Sequence, residues 1–324
     1  MHPLLNPLRP TRRPVSGADA PPGPAPAGRL PAVASDPKKR PLAALRHAAK
    51  RTWPRLARAA SFPRSLARIL HGRPRVPESL AGHELLRIIL ARRSVRSFAP
   101  QALPEDVFAA ILEAGRVAPS TVNLQTWTFL TFTPASWQAT FGQALPFGGQ
   151  RAVLVLGDTH RARAIIDAFP ASPLVEYTVA VMNASLAAMN MNIAAEALGV
   201  SSVMLSETGR TGFFDTAHLA KALRLPPGVW PLMTIVFGYA HGPRPPMPPK
   251  LPRDQVAYPG TYREPDPRVL QDWLAQMVAG YKAMHPRSSF DAQLQAYQRK
   301  IGQAEAELDR LLLGGAEAGP KAPG

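Results

Sequence analysis

The sequence predicts an α+β domain in which a central antiparallel or mixed sheet is flanked by helices. Aromatic and β-branched residues alternate over residues 127–132, which is typical of a strand. Continuous apolar runs at 151–156 and 234–239 are typical of strands that are buried on both faces. Between these two runs, residues 175–198 form a long, Met-rich stretch of helical character. Because strands and helices alternate along the chain, we expect one sheet with helices on its faces.

Further helices are predicted around the first strand and near the C-terminus. Residues 84–91, 104–117 and 134–145 read as helices, and the last two begin at a proline. Apolar residues recur at helical spacing around 270–277, where the segment needs a partner surface. Near-heptad spacing over 290–313 indicates an interaction helix or a helix folded back on its own subunit. The last dozen residues are expected to be disordered.

Charge and composition divide the chain into three parts. The net charge of the 324-residue chain is +16, and residues 1–82 hold 16 Lys or Arg against 3 Asp or Glu. Most of the basicity therefore belongs to an N-terminal extension rich in Pro, Ala and Arg, which we expect to be partly disordered. A core domain at 83–262 and a C-terminal helical extension at 263–324 follow.

Within the basic extension, residues 42–70 read as a basic amphipathic helix that is interrupted at Pro54 and Pro63. Such a segment could contact an anionic membrane surface or nucleic acid. A solvated helix packed on the core and an unstructured leader are equally compatible with the pattern. Because the sequence lacks a long apolar run, we expect a cytoplasmic protein, either free or peripheral to the inner membrane.

Several kinds of catalytic site are excluded by composition and spacing. The chain has no cysteine, so disulfides, thiolate nucleophiles and Cys-ligated metals are absent. Its eight histidines show no spacing typical of metal ligands. The sequence also lacks a Gly-rich dinucleotide fingerprint, a phosphate loop and a Gly-x-Ser-x-Gly elbow. A nicotinamide cofactor would therefore bind transiently rather than in its own Rossmann domain.

Two short motifs hold residues suited to an anionic group and a flat polar ring. Residues 92–98 read RRSVRSF, which places three guanidinium groups and a hydroxyl close together, a donor set that suits a phosphate. Residues 118–127 read APSTVNLQTW, where small, hydroxyl and amide side chains follow a proline turn. Taken singly, the motifs also fit a solvated helix end and a helix stop. Their order and spacing together favour a binding site.

The order of these motifs resembles that of the flavin-dependent nitroreductase family. The family pattern begins Arg-Arg-Ser-x-Arg-x-Phe and continues, after a helix, with Ala-Pro-Ser-x-x-Asn-x-Gln-Pro-Trp. In this chain Thr126 stands in place of the usual proline. The resemblance continues through the Ala-rich helix end at 194–199 and the apolar run at 225–239, so that it extends from about residue 84 to about residue 260.

The resemblance implies a homodimeric oxidoreductase that binds FMN between its subunits, with C-terminal segments wrapping the second subunit. NAD(P)H would reduce the flavin and leave, and the flavin would then reduce a nitroaromatic, a quinone or a related small-molecule acceptor in a ping-pong mechanism. Reductive dehalogenation and azoline oxidation are other outcomes of this fold. The alternative is a protein that is not an enzyme: it would bind flavin without turnover and be tethered through its basic extension.

The resemblance also implies which residues bind the cofactor. The first motif would hold the phosphate, the ribityl chain and the ring edge, and the second would line the ring from the neighbouring subunit. A later loop would present a backbone N–H to flavin N5, and basic residues after the last strand would complete the phosphate site. These residues are Arg92, Arg93, Ser94 and Arg96; Pro119, Ser120, Thr121 and Asn123; Leu205 and Ser206; and Lys250 and Arg253. No side chain is assigned as catalytic, because the flavin carries the reaction.

Two of these implied positions depart from the family pattern. Residues 204–207 read MLSE and lack the glycine that is common in the N5 loop. Lys250 stands where arginine is usual, and lysine neutralises a phosphate without the bidentate geometry of a guanidinium. Arg253 could compensate for that loss, and an ordinary surface lysine is the alternative interpretation of Lys250.

Overall fold

A four-stranded antiparallel sheet forms the centre of the fold, as the sequence predicts. The computed structural model describes residues 55–72, 74, 76–205 and 216–312. The strand order within these residues is β1-β2-β4-β3, and every neighbouring pair is antiparallel. The strands are β1 (Trp127–Phe132), β2 (Arg151–Asp158), β3 (Ser201–Leu205) and β4 (Val229–Gly238). The central strands β2 and β4 are almost fully buried, which explains their unbroken apolar sequence.

Helices cover both faces of this sheet and extend beyond it at both ends of the described chain. The described α-helices are α1 (Arg55–His71), α2 (Glu84–Ala91), α3 (Glu105–Arg116), α4 (Pro134–Phe141), α5 (His160–Arg163), α6 (Pro173–Ala197), α7 (Thr216–Ala222), α8 (Pro267–Met284) and α9 (Phe290–Leu312). Helices α2, α3, α4, α6, α8 and α9 correspond to helices predicted from sequence. None of the helices in the described ranges combines the length and apolarity needed to cross a membrane.

Local chemistry explains where the helices begin and end. At α4, Thr133 and Ser136 form a reciprocal capping box, and Pro134 occupies the first turn. Gly142 follows with φ 67°, a left-handed conformation that ends a helix and that glycine adopts without steric cost. Helix α4 therefore ends at Phe141, whereas the sequence predicts a helix up to residue 145.

The main hydrophobic core lies between the sheet and the helix pair α3 and α6. Small residues dominate the buried face of α6, which lets α3 approach closely at Gly115. A Cβ atom at Gly115 would lie 2.7 Å from Cγ of Met191. A second cluster covers the other face of the sheet, where Trp137 of α4 packs edge-on against Phe132. The sheet is thus enclosed on both faces.

Helix α1 differs from the prediction for the basic extension. It continues through Pro63, so the predicted interruption at that residue is wrong, while Pro54 and the rest of residues 1–54 lie outside the described residues. A proline inside a helix removes one backbone hydrogen bond. The packing of α1 on α8, where Ile69 is buried near Gly280 and Arg68 pairs with Asp272, stabilises the helix beyond that point. The predicted disorder at the C-terminal end also lies outside the described residues.

Two features of the sheet were not predicted from the sequence. Strand β3 is short and follows the turn at Gly199, so its five residues give little periodic signal. Strand β4 begins at Val229, five residues before the predicted start at residue 234. It therefore includes Pro231, a residue type that is uncommon inside a strand. Both strands supply backbone next to the first sequence motif.

We predict that Gly115→Val destabilises the fold by about 1 to 3 kcal/mol, because the added methyl groups would overpack the contact between α3 and α6. Gly302→Val in α9 is the matched control, since nothing lies within 4 Å of a Cβ atom at that helical glycine. Thermal unfolding should show a lower Tm for the first variant and a Tm near that of the unmodified protein for the second. Equal Tm values would contradict the close packing described here.

Candidate functional site

The segment that follows α2 is fixed to the edge of the sheet that β3 forms. Ser94 forms a parallel bridge with Ser202 of β3, and the Val95 amide donates to the Ser202 carbonyl at 3.0 Å. Further along, Phe98 bridges to residue 240, just after β4. Val95 and Phe98 are buried, whereas Arg96 is exposed. The apolar residues of the first motif therefore anchor it and leave its polar residues near the surface.

The three arginines of this motif are not equivalent. The Arg93 guanidinium donates to the carbonyls of Leu90 and Arg92, each at 2.8 Å, and so caps the C-terminal end of α2. The side chains of Arg92 and Arg96 make no hydrogen bond or ion pair with any residue that the structure describes. Arg92 and Arg96 thus retain their donors for an anion, while Arg93 shares its donors with the backbone.

A buried carboxylate balances the positive charge around Arg93. Glu196, at the end of α6, is paired with Arg244 in the segment after β4. Burial lowers the pKa of Arg93, as do the nearby Arg92 and Arg244, whereas Glu196 acts in the opposite direction. The ion pair of Glu196 and Arg244 joins the end of α6 to the chain after β4, and Arg93 lies near enough to this pair for its pKa to be affected.

The second motif forms a tight loop with unusual backbone conformations. We refer to residues 119–126 as the ring loop, because the family resemblance assigns four of them, Pro119, Ser120, Thr121 and Asn123, to the flavin ring. Val122, Asn123 and Gln125 have φ values of 40°, 58° and 49°. Such left-handed conformations are costly for residues other than glycine and persist only where the surroundings hold them. The Ser120 hydroxyl accepts from the Gln125 amide at 3.0 Å, so it helps to close the loop.

Residues that the sequence analysis did not identify hold this loop in place. Asn183 of α6 is buried and hydrogen-bonds to Thr121 and Thr126. On the other side, the Arg161 guanidinium donates to the carbonyls of Gln125 and Trp127. A signal for Asn183 was present, because a polar side chain among the small apolar residues of a buried helix face usually has a hydrogen-bond partner. Nothing in the spacing of Arg161 indicated its contact.

The predicted N5 loop is only partly described. Leu205 is the last residue of β3 and pairs with Thr234 of β4, so Met204 and Leu205 belong to a strand and not to a loop. Ser206 lies outside the described residues. The assignment of Ser206 to flavin N5 stays a prediction.

The two basic residues after β4, Lys250 and Arg253, have no described contact with the first motif. Lys250 is exposed, and its position depends on α8, since Trp273 donates to the carbonyl of Pro249 at 3.1 Å. Arg253 begins a short 3-10 turn, Arg253–Gln255, and is also exposed. Within the described ranges, no hydrogen bond or ion pair joins either residue to Arg92, Arg93, Ser94 or Arg96. The assignment of Lys250 and Arg253 to the phosphate site stays a prediction.

Open cavities occur elsewhere on the described surface. One of about 340 Å³ lies between α3 and the outer edge of β1, and one of about 500 Å³ lies where α8 meets α9. Neither is lined by a residue predicted from sequence to bind a cofactor. In the described part of the chain, His, Asp and Glu side chains do not gather into a group of three that could hold a metal ion.

Comparison with known proteins agrees with the order of motifs and with the fold. A protein of Archaeoglobus fulgidus, provisionally named NADH dehydrogenase/NAD(P)H nitroreductase, is 29% identical over 166 residues, which cover 48% of this chain and 85% of that protein. The FMN reductase [NAD(P)H] of Bacillus subtilis is 26% identical over 233 residues, which cover 67% of this chain and 84% of the reductase.

The fold itself is shared with solved structures. B. megaterium NfrA2 superposes with a TM-score of 0.59 at 19% identity, covering 71% of this chain and 98% of NfrA2. The model of the Nitroreductase family matches residues 89–239, a range that begins in α2 and ends one residue after β4. That range contains both sequence motifs and all four strands of the sheet. Over residues 89–239, this chain is therefore similar to the nitroreductase family.

Proposed function

We propose that the protein is an FMN-dependent oxidoreductase that uses NAD(P)H as its electron donor. The observation that carries this proposal is that two guanidinium groups, Arg92 and Arg96, have no hydrogen-bond or ion-pair partner among the described residues and lie on a segment fixed to the edge of β3. The names of the Bacillus and Archaeoglobus relatives, FMN reductase [NAD(P)H] and NAD(P)H nitroreductase, support the same cofactor and donor. The match of the Nitroreductase family model to residues 89–239 supports the oxidoreductase class.

The residues present fit FMN in their chemistry. A phosphate monoester needs cationic donors with free N–H groups, and Arg92 meets that need, while Ser94 adds a hydroxyl. The flat ring needs neighbours that are small or polar and do not crowd it. The exposed residues of the ring loop meet this need: Pro119 is small, and Thr121 and Asn123 are polar. Lys250 and Arg253 add positive charge after the last strand. We propose that these residues hold the cofactor.

FMN, when bound, would take a hydride from NAD(P)H and, once the nicotinamide has left, pass the electrons to a nitroaromatic, a quinone or a related acceptor. The protein's own contribution is binding and electrostatics. Arg96, exposed and unpaired, is our candidate for the cation that stabilises negative charge at the pyrimidine end of the ring. Because no described side chain is placed as an acid or base, solvent would supply the protons.

We further propose that the protein acts as a homodimer, with the ring loop of one subunit facing the FMN of the other. One face of α6 is buried against the sheet, but the opposite face carries a row of exposed apolar residues at helical spacing. This row, which we call the α6 stripe, consists of Leu174, Met182, Leu186 and Met189. A contiguous exposed apolar row on a long helix is typical of a subunit interface.

The role of the basic extension stays a prediction. Most of residues 1–82 lie outside the described range, and the described helix α1 makes its contacts with α8. Contact with an anionic membrane surface or with nucleic acid, and a cytoplasmic or peripheral location, are proposals that rest on charge and composition alone.

The visible absorption spectrum of the purified protein tests the proposed function. Flavin bands that bleach on anaerobic addition of NADH or NADPH would support the oxidoreductase. Flavin that stays oxidised with either donor would indicate the alternative of a flavin-binding protein without this activity. A protein that neither contains flavin nor binds added FMN would contradict the proposal.

We predict that Arg92→Gln and Arg96→Gln each weaken FMN binding by roughly tenfold to hundredfold. A hydrogen bond to a charged group contributes about 1.5 to 3 kcal/mol, which corresponds to that range of affinity. Arg87→Gln, on the exposed side of α2, is the matched control and should leave the affinity unchanged. Quenching of FMN fluorescence gives the Kd of each variant. Equal affinity in all three variants would remove both residues from the FMN site.

We predict that Met182→Glu shifts the protein from dimer to monomer, because a buried carboxylate without a partner is costly at an apolar interface. Met182 is 55% exposed in the single chain and lies in the middle of the α6 stripe. Ala139→Glu on α4 is the control, since that exposed position lies on the opposite side of the sheet. Sedimentation velocity should show a dimer for the control. A dimer of unchanged stability in Met182→Glu would place the interface elsewhere.

A further inference from the structure

Asn183 makes contacts with both ends of the ring loop. Its side-chain carbonyl accepts from the Thr121 amide at 3.1 Å and from the Thr121 hydroxyl at 3.2 Å. Its amide nitrogen donates to the Thr126 hydroxyl at 2.8 Å. Asn183 and Thr126 are almost fully buried, with exposures of 1% and 0%. The Asn183 side chain therefore uses both its donor and its acceptor on a loop that is 57 to 62 residues away in sequence.

The loop between these contacts would not keep its conformation unaided. Val122, Asn123 and Gln125 all lie in the left-handed region, which disfavours residues with a side chain. Such a backbone relaxes unless its ends are fixed by the surrounding structure. Asn183 fixes Thr121 immediately before the strained residues and Thr126 immediately after them. Its position is itself set by α6, which is packed against the sheet.

A second contact supports the loop from the exposed side. The Arg161 guanidinium donates to the carbonyls of Gln125 and Trp127, and its Nε lies 3.4 Å from the Asp158 carboxylate. The Arg161 side chain is 61% exposed, so solvent competes for these interactions. Water does not reach the Asn183 contacts in the same way. Asn183 is therefore the stronger of the two constraints.

The threonine at 126 has a specific role in this arrangement. The family pattern has proline at this position, and a proline ring restricts the backbone but cannot accept a hydrogen bond from a side-chain amide. In this chain the Thr126 hydroxyl accepts from Asn183 instead. A hydrogen bond to the long helix thus replaces the restriction that a proline would impose on the end of the loop.

We propose that Asn183, through Thr121 and Thr126, is a positioning residue that holds the ring loop in the conformation that receives the flavin ring. This inference rests on the proposed function, because it takes the ring loop as part of the FMN site. Asn183 does not itself touch the cofactor in this proposal. It acts by keeping Pro119, Ser120, Thr121 and Asn123 in place before FMN arrives, which avoids the cost of ordering the loop on binding.

A second asparagine of α6, Asn190, provides a matched comparison. The Asn190 amide donates to the carbonyl of Ala114 at the end of α3, at 3.1 Å, and has no contact with the ring loop among the described hydrogen bonds. Asn183→Leu and Asn190→Leu are thus the same substitution on the same helix; the first removes three hydrogen bonds to the ring loop, and the second removes one to the end of α3. Thr126→Val and Thr126→Ser form a milder pair, because only the second keeps the hydroxyl.

Hydrogen exchange of the FMN-free protein tests the hold on the loop. In Asn183→Leu, backbone amides in peptides covering residues 118–127 should exchange at least about tenfold faster than in the unmodified protein, since loss of a buried hydrogen bond favours local opening. Asn190→Leu should leave these peptides unchanged. Thr126→Val should show a smaller increase than Asn183→Leu, and Thr126→Ser should show none. Unchanged exchange in both Asn183→Leu and Thr126→Val would overturn the proposal.

FMN titration then tests whether the hold matters for the cofactor. The Kd for FMN should rise by about tenfold in Asn183→Leu and by less in Thr126→Val, while Asn190→Leu and Thr126→Ser keep the original value. Faster exchange with an unchanged Kd would overturn the positioning role, because the loop position would not affect the ring. If the unmodified protein bound no FMN, the proposed function would fail and the positioning role with it. Failure of the positioning role alone would appear as unchanged exchange beside intact FMN binding.

Discussion

The packing of α6 against α3 and the sheet is the constraint on which the rest of the structure depends. Alanine occupies most of the buried positions of α6, and Gly115 lies opposite Met191, so the helices approach to a distance that larger residues would prevent. This close approach fixes the rotation of α6 about its own axis. The direction of every polar side chain on the helix is thereby also determined, because side chains repeat at a fixed angle along a helix.

Both halves of the candidate site are attached to this one helix. Asn183, near its middle, holds the ring loop, and Glu196, in its last turn, pairs with Arg244 close to Arg93 of the first motif. The two contacts are thirteen residues apart, which is about 20 Å along an α-helix. A rigid helix can therefore set the spacing between a loop suited to a ring and a segment suited to a phosphate. The exposed α6 stripe leaves the opposite side of the same helix available to a second subunit.

Sequence predicted those features that depend on local patterns. Strand β1 follows from its alternation, α6 from its length, and the first motif from its arginines, and all are present in the structure. Features set by distant partners were not predicted. Helix α1 continues through Pro63 because α8 supports it, β3 is too short to show a period, and the different orientation of Arg93 depends on carbonyls of α2. The contact of Asn183 with a loop 57 residues away is of the same kind.

The packing of α1 on α8 has a consequence for shortened forms of the protein. Ile69 packs against Gly280, and next to it Ala279 is also buried, so α8 carries small residues where α1 lies against it. Removing all of residues 1–82 to eliminate the basic charge would also remove α1 and expose this surface of α8 to solvent. An apolar surface that is newly exposed in this way promotes association with other amphipathic segments. Truncation before Arg55 would remove much of the charge and keep the cover.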